Sequence, residues 1–204
     1  LVGSEMCIRD RANAYVNVSL VSYDDPAADD DTQWEVGGSY GFMEDKLHAI
    51  LALNGATDLF GWKVGAKYYI LDELTGQLTY GIDTDSSGTD VKVSTIGIGL
   101  QYAVELAGKW LDATLDVDLV SADTPGDPSN TDIGLGVRYY LQKNLGVGVM
   151  YMSNSGDMNE GSGFGIGAKY HQGPLGIELT WAKYSPDGGI DDISIIKLAV
   201  DYRF

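Results

Sequence analysis

Three observations predict the fold. Apolar and polar residues alternate along nearly the whole chain, Gly is frequent (27) while Pro is scarce (5), and short connections alternate with longer ones. Together they predict an all-β chain, a transmembrane antiparallel up-and-down β-barrel of about twelve strands, with ten or fourteen as alternatives. The last strand shows the pattern most clearly. Ile196, Leu198, Val200, Tyr202 and Phe204 share one face, and Lys197, Ala199, Asp201 and Arg203 share the other. A strand that is apolar on one side to its final residue and charged on the other suits a wall between lipid and water.

The other strands follow from the same period. The first spans Tyr15–Tyr23, with Val16, Val18 and Leu20 outward, and the second Gln33–Phe42, with Trp34, Val36, Tyr40 and Phe42 outward. Leu47–Ala56 and Gly61–Ile70 follow, then a short fifth at Thr75–Ile82. The sixth, Val91–Val104, loses phase over its first residues, which suggests a bulge. Trp110–Val120, Asp132–Leu141, Leu145–Ser153, Gly163–Tyr170 and Leu175–Tyr184 complete the set before the terminal strand. Most lengths approach the roughly 9–11 residues a tilted strand needs to cross a bilayer. An even count returns both ends of the barrel to the side of the short connections.

Aromatic residues gather at both ends of the strands. Trp34, Trp62, Tyr80, Tyr151, Phe164 and Trp181 lie toward the long connections; Phe42, Tyr68, Tyr102, Tyr139, Tyr170, Tyr202 and Phe204 lie toward the short ones. Two such belts are expected where rings sit at headgroup level. A soluble sandwich also alternates, but it does not call for paired belts or unequal connections.

Composition excludes several classes. The 204 residues suffice for one large β domain, and no apolar run approaches the length of a membrane helix. Mean hydropathy is only −0.08, because the two faces of each strand cancel. A formal charge of −17 without a basic stripe argues against nucleic acid as a partner. Residues 1–11, Leu1 to Arg11, resemble an in-frame translation of a sequencing adapter and are set aside as non-native. They hold the single cysteine, Cys7, so no disulfide framework is expected. Residues 12–14, Ala12-Asn13-Ala14, match an A-x-A cleavage pattern, as the remnant of a lost signal peptide would. Residues 15–204 then form one barrel domain.

The terminal run Leu198-Ala199-Val200-Asp201-Tyr202-Arg203-Phe204 resembles the C-terminal strand signature of bacterial outer-membrane β-barrels. The chain is porin-like in architecture, although shorter than the sixteen-stranded general porins, and the motif does not resolve a subfamily or an oligomeric state. The resemblance implies a Gram-negative outer membrane, external loops at the cell surface, termini in the periplasm, and recognition of the Phe204 strand by the barrel-assembly machinery. It also implies outer-membrane lipid and lipopolysaccharide as surroundings.

Charge is distributed unevenly. The long connections hold 16 acidic residues and no Lys or Arg, with Asp24, Asp25, Asp29, Asp30 and Asp31 in the first alone. Such a mouth concentrates cations, and its carboxylates suit divalent bridging to lipopolysaccharide. Asp83 and Asp85 echo the start of a calcium loop, but Ser94 stands where the closing Glu belongs, so they remain weak metal candidates. By parity the inward face carries Glu35, Asp112, Asp116, Asp118, Asp132, Glu178 and Asp201 against Lys63, Lys67, Arg138, Lys169, Lys197 and Arg203. This face reads as the opposite of apolar. A turn near Gly173 brings Lys169 toward Glu178. Asp112, Asp116 and Asp118 form a candidate stripe for cation selection. Inward glycines (Gly134, Gly136, Gly146, Gly148, Gly165, Gly167, Gly176) either open one wall of the lumen or relieve crowding there.

Enzyme signatures are weak. The only histidines, His48 and His171, sit near the short connections, and no Ser is expected beside His48. No nucleophile elbow, metal cluster or phosphate loop stands out, and no cofactor is called for. The expected function is passive diffusion of small hydrophilic solutes, with cations favoured. The alternative is a structural or surface-interaction barrel whose lumen is plugged by opposed charges and whose acidic loops meet lipopolysaccharide or divalent cations.

Overall fold

The computed structural model describes residues 14–24, 31–43, 46–85, 91–158, 160–188 and 191–204. The adapter-like segment, Ala12 and Asn13 of the cleavage pattern, and the loop carboxylates Asp25, Asp29, Asp30 and Asp90 lie outside them. So do Ser86 to Thr89 of the calcium-loop echo.

Among the described residues the chain forms twelve strands and no helix. They are β1 (Ala14–Asp24), β2 (Asp31–Phe42), β3 (Leu47–Gly55), β4 (Leu59–Tyr69), β5 (Leu74–Asp85), β6 (Val91–Leu106), β7 (Lys109–Ala122), β8 (Ser129–Gln142), β9 (Leu145–Gly156), β10 (Gly161–Gln172), β11 (Leu175–Pro186) and β12 (Ile193–Arg203). Each pairs antiparallel with its sequence neighbours, and β12 pairs with β1, so the sheet is a closed barrel. The seam runs from Tyr15 opposite Arg203 to Asp24 opposite Ser194, and Phe204 N donates to Ala14 O at 2.9 Å. Closure matters because lipid offers no partner for an open edge.

The tight turns follow local chemistry. Ala107 and Gly108, between β6 and β7, both have positive φ (51° and 75°), the two-residue turn whose twist matches a hairpin. Gly173 (φ 59°) and Pro174 join β10 to β11; glycine takes the left-handed position and proline the next. Lys143 and Asn144 join β8 to β9 beside a register shift at Tyr140 and Gln142.

Most strands run further than alternation predicts, chiefly at the ends facing the long connections. β5 has 12 residues, four beyond its expected length, because Leu74 pairs with Tyr102 at one end and Asp83 to Asp85 continue the ladder onto Val91 to Val93 at the other. That ladder also removes the expected bulge in β6: its register is unbroken from Val91 to Tyr102. The phase reverses instead because Lys92 points outward beyond the apolar band, while Val91 and Val93 point inward.

The outer surface is apolar across the middle. Leu51, Leu78, Val149, Ile166 and Leu179 are each more than half exposed and form the band that meets lipid. The belts interlock through ring pairs. Trp62–Tyr80 (5.9 Å) and Tyr151–Phe164 (5.1 Å) lie at one rim, Tyr40–Phe42 and Tyr202–Phe204 (both 5.0 Å) at the other. A small apolar cluster closes inside the barrel near the short turns, where Trp110 packs on Tyr69 and Ala103.

This arrangement sets a depth-dependent expectation. Leu115→Arg, at the middle of β7, should cost about 2–4 kcal/mol, whereas Ser121→Arg, near the outer rim, should cost about 0–1 kcal/mol. Guanidinium unfolding in phospholipid vesicles measures both, and equal costs would contradict a lipid-facing band.

Candidate functional site: the charged lumen

Period 2 sends every second side chain into the barrel, and all thirteen residues expected there line one of two internal cavities. The inner cavity, about 90 Å³, lies toward the short turns and is lined by Glu35 (β2), Lys63 and Lys67 (β4), Lys169 (β10), Glu178 (β11), and Lys197, Asp201 and Arg203 (β12). The outer cavity, about 370 Å³, is lined by Asp112, Asp116 and Asp118 (β7), Asp132 and Arg138 (β8), and by Glu178 and Lys197. Both have room for several waters at about 10–15 Å³ each. The near balance of charge therefore hides a separation. Five acids and two bases line the outer cavity, three acids and five bases the inner one.

The lumen charges form a connected chain that links the two cavities. Arg138 Nη2 donates to Glu178 Oε1 at 2.6 Å. Lys169 Nζ lies 3.6 Å from Glu178 Oε2 and 2.8 Å from Asp201 Oδ1. Arg203 Nη2 continues to Asp201 Oδ2 at 3.4 Å and donates to His171 Nδ1 at 3.5 Å. Lys63 meets Glu35 at 3.6 Å on the facing wall. Buried charges persist only when paired in this manner.

Arg138 belongs to β8 and Glu178 to β11, so the guanidinium spans two intervening strands. It can lie flat because β9 offers glycine beneath it: a Cβ on Gly146 would fall 2.9 Å from Arg138 Cδ. The glycines thus correct the reading of an uncovered wall. Gly146, Gly148 and Gly176 seat charged side chains from the neighbouring strand, whereas Gly136 and Gly167 face threonines and Gly165 faces Met150 and Ala182. Gly97 and Gly99 on β6 are further charged seats. Asp116 Oδ1 lies over Gly99, Asp118 Oδ1 over Gly97 and the Asp201 carboxylate over Gly176, each glycine being the direct cross-strand partner. Gly136 seats Thr114 in the same way. A residue with a Cβ at these positions would push the polar group into the lumen.

Two further expectations need correction. The inner face is not uniformly polar: Val21, Met150, Met152 and Ile195 line the outer cavity. These positions share parity with the charged ones, and their types alone mark them in the sequence. Second, a serine does lie beside His48. Ser39 Oγ is 3.5 Å from His48 Nδ1, both residues buried. The residue directly opposite His48 is Gly41, and its missing side chain lets the diagonal neighbour reach the ring.

Asp83 and Asp85 lie in the extended strand β5, pointing inward. Asp83 Oδ1 accepts a hydrogen bond from Asn54 Nδ2 at 2.7 Å, and among the described residues no three His, Cys, Asp or Glu converge as metal ligands. At the outer rim Lys183 Nζ meets Asp192 Oδ2 at 2.6 Å. This pair, with a hydrogen bond from Ser185, holds the exposed Asp192 carboxyl below its ordinary range.

Comparison with known proteins agrees with this geometry. The family model described as Gram-negative porin matches residues 10–159. No curated protein matches the sequence. Among solved structures, the chain is similar to the KdgM porin (11% identity, TM-score 0.66, covering 92% of this chain and 99% of that one). It is likewise similar to the NanC porin (12% identity, TM-score 0.67, 93% and 100%). Omp33 of Acinetobacter baumannii matches at 11% identity and TM-score 0.62, covering 95% of this chain and 98% of that one. At such identities the likeness is one of fold.

The buried network makes a stability expectation. Glu178→Gln removes the 2.6 Å ion-pair partner of Arg138 and one carboxylate partner of Lys169, and should cost about 3–5 kcal/mol. Asp192→Asn, which breaks only the exposed rim pair, should leave the unfolding midpoint where it is. Denaturant titration in vesicles compares the two, and equal effects would contradict a buried network.

Proposed function

The chain belongs to the Gram-negative porin family and forms an outer-membrane channel for small solutes, and on that premise we propose that it passes hydrophilic solutes passively and favours cations. The carrying observation is the outer cavity, where Asp112, Asp116, Asp118, Asp132 and Glu178 face only Arg138 and Lys197 as bases. Low-dielectric walls focus the field of such a cleft and raise the local concentration of counter-ions. Rings of carboxylates serve cation pores in this way. The acidic outer connections extend the same field beyond the rim, within a Debye length of about 8 Å at physiological salt.

Family and fold point to a channel rather than an enzyme. Transport of this kind needs no resident cofactor. The Ser39–His48 pair lies on the lumen wall, away from the lipid face where a leaflet substrate would approach. Divalent bridging from the rim carboxylates to lipopolysaccharide, and recognition of the Phe204 strand during assembly, belong to the same proposal.

A second reading has its own support. The smaller inner cavity carries five bases against three acids, and a KdgM porin has been solved in complex with disordered oligogalacturonate. If that section limits the current, anions are favoured. The sign of the reversal potential in a salt gradient across a planar bilayer separates the readings. We expect it to report cations, with the preference reduced in Asp116→Asn/Asp118→Asn; an anion-favouring wild type would reject the first reading. Absence of any current would favour a plugged, structural barrel.

The glycine seats add a prediction for the same assay. Gly99→Ala displaces the Asp116 carboxylate from the wall and should lower single-channel conductance. The same substitution in an Asp116→Ala background should do little, since the next atom, Gln77 Cβ, lies at an ordinary 3.5 Å.

A further inference from the structure

The outer cavity has two chemically different walls. Asp116 and Asp118 descend one strand at intervals of two residues, and Asp132 stands directly across from Asp118 on β8. Successive inward residues on a strand are about 7 Å apart, so these carboxylates form a short acidic column. Apolar side chains complete the enclosure. Met150 and Met152 follow on β9, and Ile195 on β12 faces the same space. Val21, on β1, comes from a strand six places round the ring from β7 and so from the opposite wall.

A wall for bare ions has no use for this apolar half. Hydrated Na⁺ or K⁺ gains nothing from thioether and aliphatic carbon, whereas the methylenes of an organic solute do. Met is also the side chain best able to adapt to apolar shapes of differing length. Asp112 is 1% exposed and lines the same cavity; its Oδ2 accepts from Tyr140 Oη at 3.2 Å, and its Oδ1 receives no hydrogen bond. An ammonium brings three donors and a positive charge to the carboxylates of Asp116, Asp118 and Asp132 that line the same cavity.

We infer that the outer cavity is a binding site for organic cations that carry an apolar body, alkylammonium ions being the simplest members. The ammonium rests among Asp116, Asp118 and Asp132, and the alkyl chain lies on Met150, Met152 and Ile195. This deepens the proposed channel, and rests on it for access from the outer face. The site retards and selects such solutes at the entrance, before the basic inner section.

The test uses the full-length barrel in lipid nanodiscs and titration calorimetry with ammonium, butylammonium and hexylammonium, with empty nanodiscs subtracting partition into lipid. Affinity should rise with chain length, up to about fourfold per methylene if each is fully covered. 1-Hexanol and hexanoate should bind at least tenfold more weakly than hexylammonium. Met150→Thr/Ile195→Thr should flatten the chain-length dependence, and Met150→Leu should restore it. Asp116→Asn/Asp118→Asn should abolish the advantage of hexylammonium over hexanol. A dependence on chain length that survives the threonine variant, or hexanol binding as well as the amine, would overturn the site. Block of small-ion current by hexylammonium in planar bilayers is the second readout. A barrel that carries no current removes the channel reading, while calorimetry still decides the site.

Discussion

Every backbone N–H and C=O inside a bilayer must find its partner within the protein. That constraint explains why the first and last strands of this chain meet. An open twelve-stranded sheet would expose two rows of unpaired groups to hydrocarbon, each at a cost of several kcal/mol. Pairing β1 with β12 removes both rows at once. Once the ring is closed, the pleat leaves one set of side chains in lipid and the other in a lumen. The lipid band, the two aromatic belts and the charged interior all follow from that division.

The interior solves a second problem, how to keep charges in a narrow space without filling it. Charges are paired along the wall, from Arg138 through Glu178 and Lys169 to Asp201 and Arg203. They are also laid down sideways. Glycine on the adjacent strand gives a carboxylate or guanidinium somewhere to rest, at Gly97, Gly99, Gly146 and Gly176. The result is a polar wall with volume left at its centre, divided into an acidic outer chamber and a basic inner one.

Much of this was legible in the residues themselves. Parity divides inward from outward side chains because period 2 depends only on local geometry. The short turns were legible for the same reason, as with Gly173-Pro174. Strand ends were harder. At Asp83 to Asp85 both faces meet water, so alternation fades while the hydrogen bonds continue. What the sequence withheld was lateral: which side chain leans over which neighbour. Ser39 reaches His48 diagonally past a glycine, and Arg138 reaches across two strands. Neither contact follows from one strand read alone. Met150 and Ile195 were overlooked differently: Ile195 shares its inward face with Lys197, which drew attention to charge, while Met150 follows Gly146 and Gly148 on a face that read as bare.

The seam carries a consequence for biogenesis. Val16 stands opposite Tyr202, so the pairing that completes the cylinder joins the two extremes of the barrel sequence. Hairpins can form one after another as chain emerges, but the circle stays broken until the terminal segment has been made. Closure of the cylinder therefore has to wait for the terminal segment, and until then both margins carry unpaired backbone groups.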